Sequence, residues 1–232
     1  MGALAVIWAP VRTLSRAAEE RWVLLAFGIV ALYAALSLVG TSLGTFGALE
    51  QLQSGPQAAE IPTEFEGFFA YLFVFTLILS VVWPFISWLL TSGLMYLVTR
   101  FFGGTGPFSR MLAVIGVAHV PSVIERIVQI PLAGLQILLA PDPAAADPTT
   151  GGGLAATILT LLSLLLWLAA FVWFVVLVVI GAALARRVGY GESAGSCAIS
   201  CAGTLGLILV VGVVLAVVVA ALVGVLGAGG PS

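Results

Sequence analysis

The chain has 232 residues, of which 62% are hydrophobic and 8% are charged, and its formal net charge is −2. Soluble globular domains carry about 25% charged residues, so this composition excludes a water-soluble domain and indicates lipid as the solvent of most side chains. The small net charge gives no support to a nucleic-acid partner or an acidic substrate.

The N-terminal segment predicts a short amphipathic helix and not a secretory signal. Residues 1–11 contain neither a basic residue nor a small-residue cleavage pattern. In residues 10–20 and the turn before them, charged side chains recur at helical spacing on one side, and apolar side chains fall on the other: Arg12, Arg16, Glu19 and Glu20 against Ile7, Val11, Leu14 and Ala18. Such a helix either lies in the headgroup plane or forms a solvated lead-in to the first span. We assign residues 1–21 to this cytoplasmic lead-in and residues 22–232 to a membrane domain.

Five apolar stretches follow, each long enough to cross a bilayer as a helix of about 20 residues. They cover about residues 22–44, 67–99, 112–140, 154–185 and 199–227. The second is longer than one crossing requires, so its helix tilts, projects from the bilayer or kinks at Pro84. A six-span chain split at Pro84 is rejected, because each half would be too short to cross. The sequence therefore predicts an all-α, polytopic helical membrane bundle of five transmembrane helices.

The connection between the second and third spans is the glycine-rich stretch Gly-Gly-Thr-Gly-Pro-Phe, residues 103–108. It lacks the lysine and the spacing of a phosphate-binding P-loop, so we expect a flexible turn. Prolines interrupt the third span at Pro121 and Pro131. Counting back about 20 residues from Pro141 starts this crossing near Pro121. Residues 108–120 would then run along the inner surface of the membrane.

The distribution of arginine predicts the orientation of the chain. In a five-span arrangement one side of the membrane receives Arg12, Arg16, Arg21, Arg100, Arg110, Arg186 and Arg187. The loops on the other side contain glutamate and aspartate but no arginine. Because arginine-rich loops stay in the cytoplasm, we expect a multi-pass protein of the cell membrane with a cytoplasmic N-terminus and an outer C-terminus.

The third span contains the polar residues of greatest chemical interest. Glu125 and Arg126 are charged residues inside a predicted crossing, and His119 and Gln129 share a helix face with them. A charge in the membrane is costly and often functional, which favours a polar site that carries a proton or holds a lipid headgroup. In the structural alternative, Arg126 reaches to the inner phosphates and Glu125 pairs with it or with another arginine. The sequence leaves both alternatives open.

Small residues of the fifth span predict close helix packing, with another span or with a second copy of the chain. They are Ala198, Ala202, Gly206, Gly212, Ala216 and Ala220. Cys197 and Cys201 lie four residues apart in a predicted helix, where the geometry does not favour a disulfide. No histidine or carboxylate accompanies them as a metal ligand, so we interpret both as packing residues.

The sequence contains no catalytic pattern. A nucleophile elbow, a zinc-binding HExxH pattern and paired carboxylates within one span are all absent. We therefore expect no catalytic residue, no cofactor and no metal ion.

Three short stretches resemble the YIP family, the Ypt/Rab-interacting Yip-domain membrane proteins. They are Trp8-Ala9-Pro10-Val11-Arg12-Thr13-Leu14, the glycine-rich residues 103–108, and Gly116-Val117-Ala118-His119-Val120-Pro121. The plan of five spans with a cytoplasmic N-terminus is similar too. For eukaryotic members the resemblance implies association with Rab-type GTPases and vesicle traffic. Their long N-terminal region with an acidic-aromatic Gly-Pro motif has no counterpart in this sequence, and the absence of lysine is typical of a prokaryote, where no Rab-type partner is expected.

Two functional hypotheses follow. In the first, the protein is non-enzymatic and acts through contacts with membrane lipids, with other membrane proteins or with a second copy of itself. The contacts would be made at the cytoplasmic face, where the lead-in, residues 100–121 and residues 186–195 bring arginines towards anionic lipid. In the second, the protein is a small transporter or channel component with a polar site in its proline-broken third span.

Overall fold

A computed structural model describes residues 3–20, 22–54, 64–138 and 152–203, and within these ranges the chain is helical and contains no strand. A short 3-10 helix, Ala3–Ile7, comes first. The α-helices that follow are α1 (Pro10–Glu20), α2 (Val23–Ser54), α3 (Glu64–Phe101), α4 (Phe108–Ala118), α5 (Val120–Leu138) and α6 (Gly152–Arg186). Residues 190–203 are helical as well. The prediction of an all-helical protein is confirmed for these residues.

Four stretches are long and apolar enough to cross a membrane. They are Val23–Gly47, Tyr71–Phe101, Phe108–Leu138 and Thr157–Arg186, which correspond to the first four predicted spans. Pro84 lies inside α3 without ending it, so the second span is one helix. The predicted fifth span, 199–227, lies outside the described residues after position 203 and stays a prediction.

Helix α4 occupies the centre of the bundle. It contacts α1, α2, α3 and α6, and residues 113–118 are buried in an unbroken run. A helix on the membrane surface would leave one side uncovered. The prediction that residues 108–120 run along the inner surface is therefore wrong. The physical reason is that Ala113, Gly116 and Ala118 have side chains small enough for neighbouring helices to cover α4 on every side.

Gly116 allows the closest contact between α4 and α2. A Cβ atom at this position would overlap the methyl group of Ala26 and would lie 3.1 Å from the indole nitrogen of Trp88. That indole N–H donates a hydrogen bond of 3.0 Å to the carbonyl of Leu112, which ties α3 to the same part of α4. At Gly181 in α6, a Cβ would lie 3.1 Å from the Cβ of Val114. Small residues thus set the distances between helices, as expected where lipid supplies no hydrophobic drive.

His119 separates α4 from α5 without ending the crossing. Its backbone is right-handed helical, with φ −76° and ψ −4°, and its N–H donates to the carbonyl of Gly116 at 3.2 Å. Pro121 has no N–H with which to continue the regular helical ladder. The chain therefore makes one tightened turn, and α4 and α5 together form the third span, Phe108–Leu138.

Helix α1 packs one side against α4 and α6. Its buried residues are Thr13, Leu14, Ala17 and Ala18, whereas Arg12, Arg16, Glu19 and Glu20 are exposed, as is Val11, which the sequence pattern had placed on the apolar side. Arg16 contacts Glu20 at 2.6 Å, and the indole of Trp22 donates to the same carboxylate at 2.7 Å. The hydrogen bond from Arg16 is the main reason that the pKa of Glu20 lies below its usual value.

Replacing Gly116 by alanine is expected to lower the free energy of unfolding by about 1–3 kcal/mol, the usual range for an overpacked core. The cause is overlap of the new methyl group with Ala26. The measurement is reversible unfolding of the purified protein in mixed micelles. Gly28→Ala is the matched control, since no atom beyond its chain neighbours and the backbone of its own helix lies within 4 Å of its Cβ position. Adding Ala26→Gly to Gly116→Ala is expected to recover part of the loss, because the Cα of residue 26 would still lie 3.0 Å from the new methyl group. A Gly116→Ala variant as stable as the unmodified chain would contradict the close contact.

Candidate functional site

His119 is buried, and its ring orientation is fixed by the turn between α4 and α5. The backbone N–H of His119 donates to the carbonyl of Gly116, so the carbonyl of Ile115 is free to accept a hydrogen bond from the imidazole. Nδ1 of His119 lies 2.8 Å from that carbonyl oxygen. A carbonyl only accepts hydrogen bonds, so Nδ1 carries the proton and Nε2 keeps a lone pair. The ring also packs edge to face on Phe174, with 4.9 Å between centroids.

Glu125 and Arg126 form a loose ion pair in the middle third of the third span. The Glu125 side chain is 7% exposed, and one carboxylate oxygen lies 3.5 Å from Nε of Arg126. That Nε has no aligned hydrogen-bond partner within the described residues. The Arg126 guanidinium lies 5.8 Å from the ring centroid of Tyr33 in α2. The pairing of Glu125 with Arg126, which the structural alternative expected, is therefore present at a depth well inside the span.

Gln129 links α5 to α6. Its side-chain amide donates to the backbone carbonyl of Ser163 at 2.8 Å, and the amide of Gln136 lies 3.5 Å from the hydroxyl of the same serine. Gln129 therefore joins the two helices.

Two cavities adjoin Glu125. The first, of about 190 Å³, is lined by residues of α2, α3, α5 and α6 together with His119, and the second, of about 310 Å³, is lined by Arg126 and Gln129. Glu125 and Trp167 line both. The structure thus brings His119, Glu125, Arg126 and Gln129 together around one pair of cavities.

Sequence reasoning missed the aromatic walls of the first cavity, which include Tyr33, Trp83, Trp167 and Phe171. These residues belong to three other helices, and an aromatic residue in an apolar span gives no signal of the direction in which it faces. Only the assembled bundle shows that they surround Glu125.

A second polar centre, also missed, is the buried arginine at the end of α6. Arg186 is 2% exposed. Its guanidinium donates to the carbonyls of Gly104, at 2.5 Å, and of Gly106, and its Nε lies 3.3 Å from the hydroxyl of Thr99. The Tyr96 ring lies 4.3 Å beneath it, within cation–π distance. In the sequence alone, Arg186 is only one of the arginines on the predicted cytoplasmic side.

The glycines of residues 103–108 are required by this arrangement. Gly103 and Gly106 have positive φ angles of 76° and 118°, which favour glycine. At Gly104 a Cβ would lie 2.7 Å from the carbonyl oxygen of Thr99, and at Gly106 it would lie 2.7 Å from that of Ala185. The turn expected to be flexible is therefore closely packed around Arg186, and its carbonyls face a cation.

The structure describes only two of the six small residues that were proposed for helix packing in the fifth span. Ala198 and Ala202 are exposed, and Gly206, Gly212, Ala216 and Ala220 lie outside the described residues, so their packing role stays a prediction. Cys197 is buried and Cys201 exposed, with sulfurs 3.9 Å apart and no disulfide between them.

Comparison with known proteins gives a family match over most of the chain. Residues 4–213 match the Yip1 domain. An uncharacterized protein of Methanocaldococcus jannaschii is 26% identical over 72 residues, which cover 31% of this chain and 51% of that protein. The match thus spans about half the length of this relative. No solved structure matches the chain.

Replacing Arg186 by methionine is expected to cost about 2–4 kcal/mol of unfolding free energy, because the carbonyls of Gly104 and Gly106 lose their buried donors. Reversible unfolding in mixed micelles measures the loss. The neighbouring Arg187→Met is the matched control, since this side chain is exposed and its replacement is expected to change stability by less than about 0.5 kcal/mol. Equal stabilities of the two variants would contradict a structural role for Arg186.

Proposed function

Because the chain belongs to the Yip1 domain family, we propose that it is a non-enzymatic membrane protein that acts through contacts with lipid or with other membrane proteins at its cytoplasmic face. The observation that carries the proposal is a group of arginine side chains at one end of the bundle. The transport alternative is not favoured by the family match.

We define the arginine-bearing end as the end of α3, the start of α4, the end of α6 and helix α1. The backbone N–H of Thr105 donates to the carbonyl of Arg186 at 2.8 Å, which joins the turn after α3 to the end of α6. Helix α1 packs on α4 and α6. The arginines brought to this end are Arg12, Arg16, Arg100, Arg110, Arg186 and Arg187. Arg21 belongs to the same predicted side but lies outside the described residues.

Several of these arginines are available to a partner. Arg12, Arg100 and Arg187 are exposed, and within the described part of the chain their side chains form no hydrogen bond or ion pair. Three glutamates lie near them: Glu20, which pairs with Arg16, Glu192, which accepts from the backbone of Gly189, and the exposed Glu19. The six arginines of this end outnumber these glutamates, so the end carries an excess of positive charge, which anionic lipid of a cytoplasmic leaflet would attract.

Exposed aromatic rings accompany the arginines at this end. Phe101 is 89% exposed, and Phe102 and Phe108 follow in the same turn region with partly exposed rings. Aromatic side chains beside arginines are typical of the boundary between lipid and water. This combination supports the assignment of the arginine-bearing end to the inner surface of the cell membrane.

Replacing Arg12, Arg100 and Arg187 together by glutamine is expected to weaken binding of anionic lipid by about fivefold for each arginine removed, since each contributes about 1 kcal/mol near a charged membrane. Native mass spectrometry of the protein with a mixture of phosphatidylglycerol and phosphatidylcholine measures the lipid that remains bound. Glu19→Gln, which removes an exposed charge of opposite sign on α1, is the control and is expected not to reduce binding. Unchanged lipid selectivity in the triple variant would refute the proposal.

The proposed orientation predicts opposite accessibility for two loops. In a chain with Cys197 and Cys201 replaced by serine, Thr105→Cys is expected to react with a membrane-impermeant maleimide only after cell lysis. Asp142→Cys is expected to react in intact cells, because it lies in the predicted outer loop. Labelling of both positions under the same condition would show that the two loops share one side of the membrane, contrary to the proposed orientation.

A further inference from the structure

The first cavity beside Glu125 is lined by hydrogen-bond acceptors and aromatic rings. The protonated Nδ1 of His119 donates to the carbonyl of Ile115, so Nε2 remains an acceptor. The Ser87 hydroxyl donates to the carbonyl of Pro84 at 3.0 Å, so its oxygen keeps its lone pairs. The carboxylate of Glu125 adds a negative charge to the same wall. Such a surface favours a group that donates several hydrogen bonds.

Aromatic rings complete this cavity. Trp167 stacks on Phe171, with centroids 5.6 Å apart and planes inclined by 11°, and both rings line the cavity together with Tyr33 and Trp83. The faces of tryptophan and tyrosine attract cations, and the attraction is stronger where water is excluded. A carboxylate beside aromatic faces is therefore suited to an ammonium group.

The second cavity adds a cation to the carboxylate. It is lined by Arg126 and Gln129 together with Glu125 and Trp167. Glu125 faces Arg126 through a single contact of 3.5 Å, and Nε of Arg126 has no aligned partner among the described residues. Guanidinium groups carry five N–H donors and bind phosphate and carboxylate. Arg126 thus retains the capacity to bind an anionic group.

The two cavities are adjacent, because Glu125 and Trp167 line both. A ligand with groups in both cavities would therefore contact the carboxylate and the indole. Their volumes, about 190 Å³ and 310 Å³, together fall within the range of about 300–1,000 Å³ that small-molecule sites occupy. A charged pair at this depth in a span is costly and is therefore more readily explained by a ligand than by packing.

We propose that these cavities bind a zwitterion of the phosphoethanolamine type, with its ammonium group between Glu125, His119 and the aromatic rings and its phosphate at Arg126 and Gln129. The same chemistry is offered by the headgroup of phosphatidylethanolamine and by a free zwitterion. The site is separate from the arginine-bearing end and does not depend on the function proposed for it.

The test uses the full chain in nanodiscs of phosphatidylglycerol, a lipid without an ammonium group. One arm adds phosphatidylethanolamine to the discs, and the other adds soluble phosphoethanolamine to the buffer. The dissociation constant is obtained from the rise in Tm with ligand concentration. A rise in the first arm alone identifies the lipid headgroup as the ligand, and a rise with the soluble compound identifies a free zwitterion. No rise in either arm would overturn the proposal.

Substitutions of the lining residues test whether the ligand binds in these cavities. Glu125→Gln is expected to weaken binding at least tenfold, because a charged hydrogen-bonding partner is lost. Arg126→Gln is expected to weaken binding of phosphoethanolamine more than binding of ethanolamine, which has no phosphate. Glu19→Gln on α1 is the control and is expected to bind as the unmodified chain does. Unaltered affinity in Glu125→Gln would contradict the assignment.

A third variant serves if Glu125→Gln does not fold. Trp167 is half-exposed, so Trp167→Leu leaves the bundle packing largely intact while it removes the aromatic face between the cavities. It is expected to weaken binding by several-fold. Trp8→Leu, which removes an exposed tryptophan far from the cavities in sequence, is the matched control. Equal affinities of these two variants would exclude the aromatic part of the site.

Discussion

The centre of this bundle depends on the contact of Gly116 with Ala26. Lipid tails are as apolar as the side chains of the spans, so helices associate through close packing and hydrogen bonds and not through hydrophobic burial. Gly116 allows α2 to approach α4 closely, and Trp88 adds a hydrogen bond from α3 to the same segment. Helices α1 and α6 then cover the remaining sides of α4. Gly116 therefore sets the distance of α2 and α3 from α4, and Gly181 does the same for α6.

Arg186 stabilises the point at which two helix ends meet. Helices α3 and α6 both end here, and each C-terminus carries partial negative charge on carbonyls that lack intrahelical donors. Arg186 places a cation beside these carbonyls and donates hydrogen bonds to those of Gly104 and Gly106. The carbonyl dipoles thus stabilise the buried guanidinium in place of a carboxylate. The positive φ of Arg187, 57°, then ends α6. One arginine is thus structural, and its exposed neighbours remain for the proposed contact with lipid.

The sequence predicted the helical class and the first four spans, because long apolar stretches need no tertiary information to be recognised. It also identified Glu125 and Arg126, since a charge within an apolar stretch is visible in the sequence itself. Counting back about 20 residues from Pro141 left residues 108–120 for the membrane surface, whereas α4 is buried in the bundle, Pro121 lies in the first turn of α5 and Pro131 lies inside it. The aromatic walls and the role of Arg186 depend on which sides of separate helices face each other, which spacing along one helix does not reveal. The two glycine-containing stretches that carried the family resemblance prove to be packing positions.

The third span combines packing in its first half with polar chemistry in its second. Gly116 fixes α4 against α2, and the tightened turn that follows frees the carbonyl of Ile115 for His119. That hydrogen bond orients the imidazole towards the first cavity, so the proposed zwitterion site depends on the same packing as the core. The arginine-bearing end differs in its physics, because exposed charges are screened over about 8 Å at physiological ionic strength, whereas charges buried within a span are screened much less. Binding at the proposed inner surface should therefore weaken as salt is added, and binding beside Glu125 should change little. This contrast allows the two proposed contacts to be distinguished in the same protein without altering a residue.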